Sequence, residues 1–276
     1  MTAVRQFAEA LVAAGLGMAK PGVDADGRLH RYRVDGDKAG SLNGWYVLHL
    51  EAQPFGAFGS WKTGQSETWT AADRNQMTEA ERRALRERMA AAKAARDAEQ
   101  AKIHAEARSR AAKLWARSGP AGNDHPYLVR KGVRAYGLRQ LRGRLVIPLR
   151  DVDGELHTLQ FISTDGKKTL LTGGRKRGCY HAIGRPERAL CICEGYATGA
   201  TIHEATGHAT AIAFDAGNLE PVARALRGKF PRLAMVICAD NDVATPGNPG
   251  LSAATAAALA VGAALAVPTF PEAAHV

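Results

Sequence analysis

The stretch Ala189-Leu-Cys-Ile-Cys-Glu-Gly-Tyr-Ala-Thr-Gly-Ala200, read with Met235-Val-Ile-Cys-Ala-Asp-Asn-Asp242, decides the fold. Each begins as an apolar run and stops abruptly at acid. Leu190 to Cys193 run into Glu194-Gly195, and Met235 to Ala239 run into Asp240-Asn241-Asp242. Runs this short and this uniformly apolar suit strands of a parallel sheet buried on both faces. The carboxylates then stand at the carboxyl ends of strands, where open α/β sheets place their chemistry. Hard carboxylate oxygens grouped there predict a Mg²⁺ (or Mn²⁺) site serving phosphate chemistry.

The surrounding pattern supports such a sheet. From Ala189 strands are predicted at 189–193, 209–214, 234–239 and 264–267, with helices at about 197–206, 219–229 and 250–261. That alternation implies right-handed crossovers and parallel pairing. Upstream, Gly143-Arg-Leu-Val-Ile-Pro-Leu-Arg150 and Leu156-His-Thr-Leu-Gln-Phe-Ile162 read as a hairpin about Asp153-Gly154, preceded by a short helix at Pro126-Tyr-Leu-Val-Arg-Lys-Gly-Val133. Strands at 167–171 and 178–183 follow, separated by Gly173-Gly-Arg-Lys-Arg-Gly178, a flexible loop with three consecutive cations. Glycines beside clustered positive charge favour phosphate contact over a plain exposed turn.

The first third differs in character. Residues 1–17 read as a short amphipathic helix, and Asp24 to Thr70 as short alternating runs divided by Gly-rich turns, hence a small antiparallel β unit. Trp45, Trp61 and Trp69 are expected in its core rather than stacked on bases. Thr78-Glu-Ala-Glu81 has the form of a capping box, and no Gly or Pro interrupts the sequence until Gly119-Pro120. A helix of about forty residues, roughly 60 Å long, is predicted, with apolar positions too sparse for a coiled-coil seam. The expectation is an exposed spacer that packs at its ends.

Four segments result: 1–77, a small β-rich domain; 78–118, the long charged linking helix; 119–188, a basic α+β subdomain; 189–276, the α/β parallel sheet. The net charge of +10 is unevenly distributed among them, at 0, +5, +8 and −3 respectively. A basic segment beside an acidic one is what polyanion binding next to a metal site requires. Hydrophobic content of 46% is that of a soluble globular protein, and no run reaches membrane-spanning length. The N-terminus lacks a signal-peptide pattern. Cys179, Cys191, Cys193 and Cys238 form no Cys-x-x-Cys pair and fall within predicted strands, which suits reduced core cysteines of a cytoplasmic protein rather than a zinc site.

Glu-Gly closing one strand, Asp240-x-Asp242 closing another, and the Gly250-x-x-x-Ala254 helix start together resemble the Toprim domain, shared by bacterial-type primases, type IA and II topoisomerases and small nucleases. Glu194-Gly-Tyr-Ala-Thr-Gly199 is similar to the Glu-Gly-Tyr-Ala-Thr-Ala signature of primases from conjugative plasmids and P4-like satellite phages, departing at Gly199. Tyr127-Leu-Val-Arg-Lys-Gly-Val133, Arg144 to Arg150, Lys168-Thr-Leu-Leu171 and Arg175-Lys-Arg177 resemble the basic subdomain of the bacterial primase core. The resemblance covers about residues 120–270. A topoisomerase would need a nucleophilic tyrosine in a further large domain, for which there is no room.

The resemblance implies a primase that makes short RNA primers on single-stranded DNA from ribonucleoside triphosphates, in plasmid, phage or mobile-element replication. Asp240 and Asp242 are then metal ligands, and Glu194 a further ligand or a general base. Arg144, Lys168, Arg175, Lys176 and Arg177 are candidate template and triphosphate contacts, with Gly195, Asp215, Gly217 and Gly250 supporting the site. Asp215 either flanks the carboxylates or caps the following helix. A Toprim nuclease and a non-catalytic single-strand-binding module are the alternatives.

Bacterial primases begin with a zinc ribbon. Lys38 to Tyr46 followed by Phe55 to Gly64 faintly resembles such a ribbon with its cysteines gone, so a metal-free β unit is expected in its place. Relatives commonly continue with another acidic motif and often a helicase. The chain is therefore read as a fragment or as a protein whose partner, a replicative helicase included, supplies those parts.

Overall fold

The structure is a computed structural model. It describes residues 2–268 apart from 52, 61, 62, 64, 73–76, 242–244 and 246. Asp242 and Trp61 thus lie outside the described residues. Two compact units divide at Gln100/Ala101, inside the long helix rather than at one of its ends.

In the first unit, helix α1 (Ala3–Ala13) packs on an antiparallel sheet of β1 (His30–Tyr32), β2 (Gly44–His49), β3 (Phe55–Ser60) and β4 (Ser66–Thr70), in that order. Thr2 caps α1 by accepting from the Arg5 N–H, and Phe7 and Leu11 form its buried stripe. Phe7 meets Tyr46, Phe58 and Trp69 edge-on, with ring centroids 5.9, 5.6 and 5.3 Å away. Trp45 is buried and Trp69 packs on the same cluster, so both serve the core of this small unit.

Helix α2 (Glu79–Ala116) begins with the capping box: Glu81 Oε2 accepts from the Thr78 N–H at 2.8 Å, and Thr78 Oγ1 accepts from the Glu81 N–H at 3.3 Å. Its 38 residues span about 57 Å at 1.5 Å each. Near its start, Leu85 is buried with Phe55 and Met77 of the first unit. Near its end, Ala111 is buried, and Leu114 and Trp115 pack with Val146 and Leu159 of the second unit.

The second unit holds two sheets. An antiparallel one runs β5 (Gly119–Pro120), β6 (Arg139–Leu141), β7 (Arg144–Arg150), β8 (Leu156–Ile162) and β9 (Lys168–Leu170), with α3 (Pro126–Lys131) beside it. The other has the order β10 (His181–Ile183), β12 (Ala209–Ile212), β11 (Ala189–Cys193), β13 (Ala234–Cys238), β14 (Ala264–Ala266). The last four pair in parallel. One strand departs from the sequence expectation. The 178–183 run, grouped with the basic subdomain, supplies β10, which joins the C-terminal sheet as an antiparallel edge beside β12. His181 and Ile183 are buried there, while a backbone bridge between Arg150 and Tyr180 ties the strand's start to β7.

Helices α4 (Tyr196–Thr206), α5 (Leu219–Lys229) and α6 (Pro249–Val261) cover the parallel strands. Alternate strand residues enter two cores. Leu190, Ile192, Ala211 and Ile237 pack with Leu219, Val222, Leu226 and the alanines Ala254, Ala257 and Ala258. Cys193 and Ile212 pack with Tyr196 and Ala200 and with Leu145, Ile147 and Ile162 of the antiparallel sheet. That second core joins the two sheets, and burying each such Leu or Ile contributes about 1.5–3 kcal/mol.

Candidate active site

Strand β11 lies between β12 and β13, with Ile192 opposite Ile237. Glu194 therefore emerges two residues, and Asp240 three residues, beyond that pair at the same end of the sheet. The backbone beyond β11 is held by the Ala213 and Phe214 N–H groups, which donate to the Cys193 and Glu194 carbonyls at 2.8 Å. On the other side the Ala239 N–H donates to the Ala266 carbonyl at 2.9 Å.

Both carboxylates are half-buried. Glu194 Oε1 is inaccessible to solvent and has no hydrogen-bond partner among the described residues. Burial, then the negative charges of Asp240 and Asp215, push the Glu194 carboxyl up to about 7, against the pull of the Ala216 N–H and the Lys168 ammonium. Burial also raises Asp240, with Lys168 opposing it. Two half-buried acids held above their ordinary range, one with an orphan oxygen, form a site that favours a cation.

Gly250 shows how closely the elements meet. A Cβ there would lie 2.7 Å from the Asp240 carbonyl oxygen and 3.2 Å from Glu194 Oε1. Glycine thus lets the first turn of α6 close against both acids. Asn248, in the left-handed region at φ 38°, caps that helix and donates from Nδ2 to Asn241 Oδ1 at 2.8 Å. Neither asparagine was singled out in the sequence; the Asn-Pro-Gly order at 248–250, a cap followed by Pro at the first helical position, was the available signal.

Three further positions of the Glu194-to-Gly199 segment have visible structural roles. Gly195, in extended conformation, is the residue before α4. The buried Tyr196 hydroxyl accepts from the Tyr136 N–H at 2.7 Å and donates to the Arg134 carbonyl at 2.6 Å, fixing α4 to the segment ahead of β6. At Gly199, where the related signature has Ala, a Cβ would meet Ile212 at 2.8 Å and the Cys193 sulfur at 3.0 Å. The space that an alanine methyl would take is filled here by Ile212 and Cys193.

The candidate cations are placed unequally. Lys168, exposed on β9, brings its ammonium within 4.0 Å of where a Cβ on Gly195 would lie, so the basic sheet reaches the acids. Arg144 donates to Thr169 Oγ1 at 2.6 Å and lies 4.6 Å over the Phe161 ring. Arg175 is engaged on the β7–β8 hairpin, its Nη2 2.9 Å from Asp151 Oδ2 and 2.8 Å from His157 Nε2. Lys176 donates to Asp215, and Arg177 is exposed. Asp215 makes no side-chain cap bond to the turn at 216–218; its partner is Lys176. Gly217 lies within that turn.

Among the described residues, the acidic and histidine side chains whose ligand atoms all fall within 4.8 Å are Asp151, Glu155 and His157, at the turn between β7 and β8. There Arg175 and Arg108 already neutralise Asp151 and Glu155. The chemistry of that cluster is ion pairing.

Known proteins resemble this chain at two levels, over the C-terminal sheet and over nearly its whole length. Residues 188–267 match the Toprim domain model. The chain is 39% identical over 286 aligned residues to a DNA primase TraC of Escherichia coli, covering 98% of this chain and 20% of that protein. A second Escherichia coli DNA primase TraC is 38% identical over 280 residues, covering 96% and 26%. The chain thus spans about a fifth to a quarter of the length of these relatives. A looser likeness, with a TM-score of 0.41 and 13% identity, is to the primase fragment of the bacteriophage T7 primase-helicase, over 56% of this chain and 66% of that one. Residues 188–267 thus match the Toprim domain model, within a chain similar over nearly all its length to a part of the DNA primases TraC.

Proposed function

We propose that this chain is the polymerising part of a DNA primase, joining ribonucleotides opposite a single-stranded DNA template. The observation that carries the reading is the pairing of Glu194 and Asp240 at adjacent strand ends, with Lys168 of the basic sheet beside them. Phosphoryl transfer needs positioned negative ligands and nearby cations more than it needs a covalent catalyst. Asp240 and Glu194, with Asp242 from the same sequence motif, would hold a divalent cation, Mg²⁺ or Mn²⁺. When bound it supplies a lowered pKa at the attacking 3′ hydroxyl and charge neutralisation at the leaving pyrophosphate.

The protein's own groups divide the remaining work. Glu194, whose carboxyl is raised to about 7, is placed to take a proton from the hydroxyl if it is not itself a ligand. Lys168, Lys176 and Arg177 meet nucleotide or template phosphates, and Arg144 and Arg175 line the same basic sheet. Such contacts fix position and carry little sequence information. A cytoplasmic protein of plasmid or phage replication, partnered by a helicase, fits this reading. Among the described residues, no helix is long and apolar enough to cross a membrane.

The test is primer synthesis. The chain, single-stranded DNA, labelled ribonucleotides and Mg²⁺ or Mn²⁺ should yield short RNA, and Asp240→Ala should abolish it with circular dichroism unchanged. Equal synthesis by the variant overturns the site. Shortening of labelled DNA without new RNA would instead identify a nuclease.

A further inference from the structure

The loop carrying Lys176 is held by one residue outside it. Asn218 is 1% exposed, and every polar atom of its side chain is engaged. The two hydrogens on its Nδ2 are shared among the carbonyls of Lys176 at 3.2 Å, Cys179 at 3.0 Å and Ala213 at 2.8 Å, while its Oδ1 accepts from the Gly178 N–H at 2.8 Å. Three of these four partners belong to the 176–179 segment. The backbone of the cationic loop is thereby pinned to the turn following β12. That turn is unusual in itself: Phe214, a bulky residue, occupies the left-handed region at φ 76°. Such a conformation costs roughly 1–3 kcal/mol and persists where surrounding structure requires it. Here it is followed by Asp215, whose charge bears on Glu194, and by Ala216, whose N–H donates to Glu194.

The side chain of Lys176 is held quite differently from its backbone. Its partner is Asp215, and the two side chains are 34% and 42% exposed. Pairs with this much water around them contribute only about 0–1 kcal/mol. A triphosphate offers the same ammonium several charged oxygens and makes the stronger hydrogen bonds of an ionised acceptor. A rigid backbone beneath a weakly committed cation is the arrangement of an exchangeable contact.

We propose that the Lys176–Asp215 pair is a latch opened by the phosphates of an incoming nucleoside triphosphate, and that Asn218 is the positioning residue that keeps Lys176 in reach. Lys176 passes from the Asp215 carboxylate to the phosphate, so Asp215 acts as a resident competitor that lowers affinity for nucleotide. This rests on the nucleotide-polymerising reading of the site. It assigns opposite signs to two neighbouring residues, which a purely structural role for the turn does not.

The experiment is equilibrium binding of a fluorescent ATP analogue to the full chain in Mg²⁺, with primer synthesis measured in parallel. Asp215→Asn, an isosteric change at a half-exposed position, should tighten binding by up to about fivefold, the factor that corresponds to loss of a competitor worth up to ~1 kcal/mol. Asn218→Ala should weaken binding and raise KM for nucleotide while kcat at saturation changes little. In a Lys176→Met background the Asp215→Asn gain should vanish, because the pair acts as one unit. Should Asn218→Ala fail to fold by circular dichroism, the Asp215/Lys176 cycle decides alone.

Unchanged or weaker binding by Asp215→Asn, or a gain that survives Lys176→Met, overturns the latch. Primers made by wild type without that gain sink the latch alone. Nucleotide binding with the predicted cycle but no RNA product sinks only the polymerising reading. No nucleotide binding by wild type overturns both.

Discussion

Replacing Glu194 by Gln removes a charge that the folded chain holds unwillingly. Its carboxyl moves from an ordinary 4.5 to about 7, first by burial and then by Asp240 and Asp215. At about 1.4 kcal/mol per pH unit, that move sets a ceiling of about 3 kcal/mol on the cost of ionising Glu194 in the fold. The site is half-open to water, so screening brings the expected effect to about 1–2 kcal/mol. The sign follows from proton counting. Between pH 4.5 and 7 the folded chain keeps a proton that the unfolded chain has released, so this group's contribution to stability falls as pH rises. Glu194→Gln abolishes that fall. Urea denaturation in EDTA, followed by circular dichroism, should therefore show variant and wild type equal near pH 4 and the variant more stable by about 1–2 kcal/mol at pH 8. Adding Mg²⁺ at pH 8 should stabilise wild type and leave the variant nearly unmoved, since a ligand stabilises only the state that binds it. An equal or destabilised variant at pH 8 without metal would refute the reasoning, because the carboxylate would then be a stabilising group.

Gly250→Ala would ordinarily gain up to about 1 kcal/mol in a helix. Here the new Cβ lies 2.7 Å from the Asp240 carbonyl, so thermal denaturation should show a lowered midpoint and Mg²⁺-dependent stabilisation should weaken; a raised midpoint would contradict the close approach. Tyr196→Phe deletes the partner of the Tyr136 N–H and the Arg134 carbonyl inside the shared core, and should cost about 1–3 kcal/mol by urea titration. His181, buried and held down to about 4 chiefly by burial, stays neutral in the fold while the unfolded chain gains a proton below about 6.5. Stability should therefore be lost as pH falls from about 6.5 to 4, and in Glu194→Gln, freed of the opposing trend, that acid slope should be steeper than in wild type.

Much of the second unit was legible because its periodicities are local. Apolar runs of four or five residues between amphipathic segments are nearly sufficient to specify strands and helices of a parallel sheet, and β11 to β14 and α4 to α6 lie close to where those runs predicted. The capping box at Thr78 and Glu81 is likewise written within four residues. The acid at strand ends could be read because strand direction alone decides which end carries the chemistry.

What only the tertiary structure decided involves residues far apart in the chain. The run giving β10 looks the same in sequence whichever sheet it joins, and its place was settled by burial of His181 and Ile183 beside β12. Arg175, Lys176 and Arg177 are three adjacent cations in sequence, yet one is bound to Asp151 and His157, one to Asp215, and one is exposed. Asn218 looks like an ordinary turn residue until the fold brings Gly178 and three carbonyls around it. Sequence specifies local preference and patterning; which charges are neutralised and which polar groups are satisfied depends on burial and on partners distant in the chain, 24 residues apart for Asp151 and Arg175 and 40 for Gly178 and Asn218.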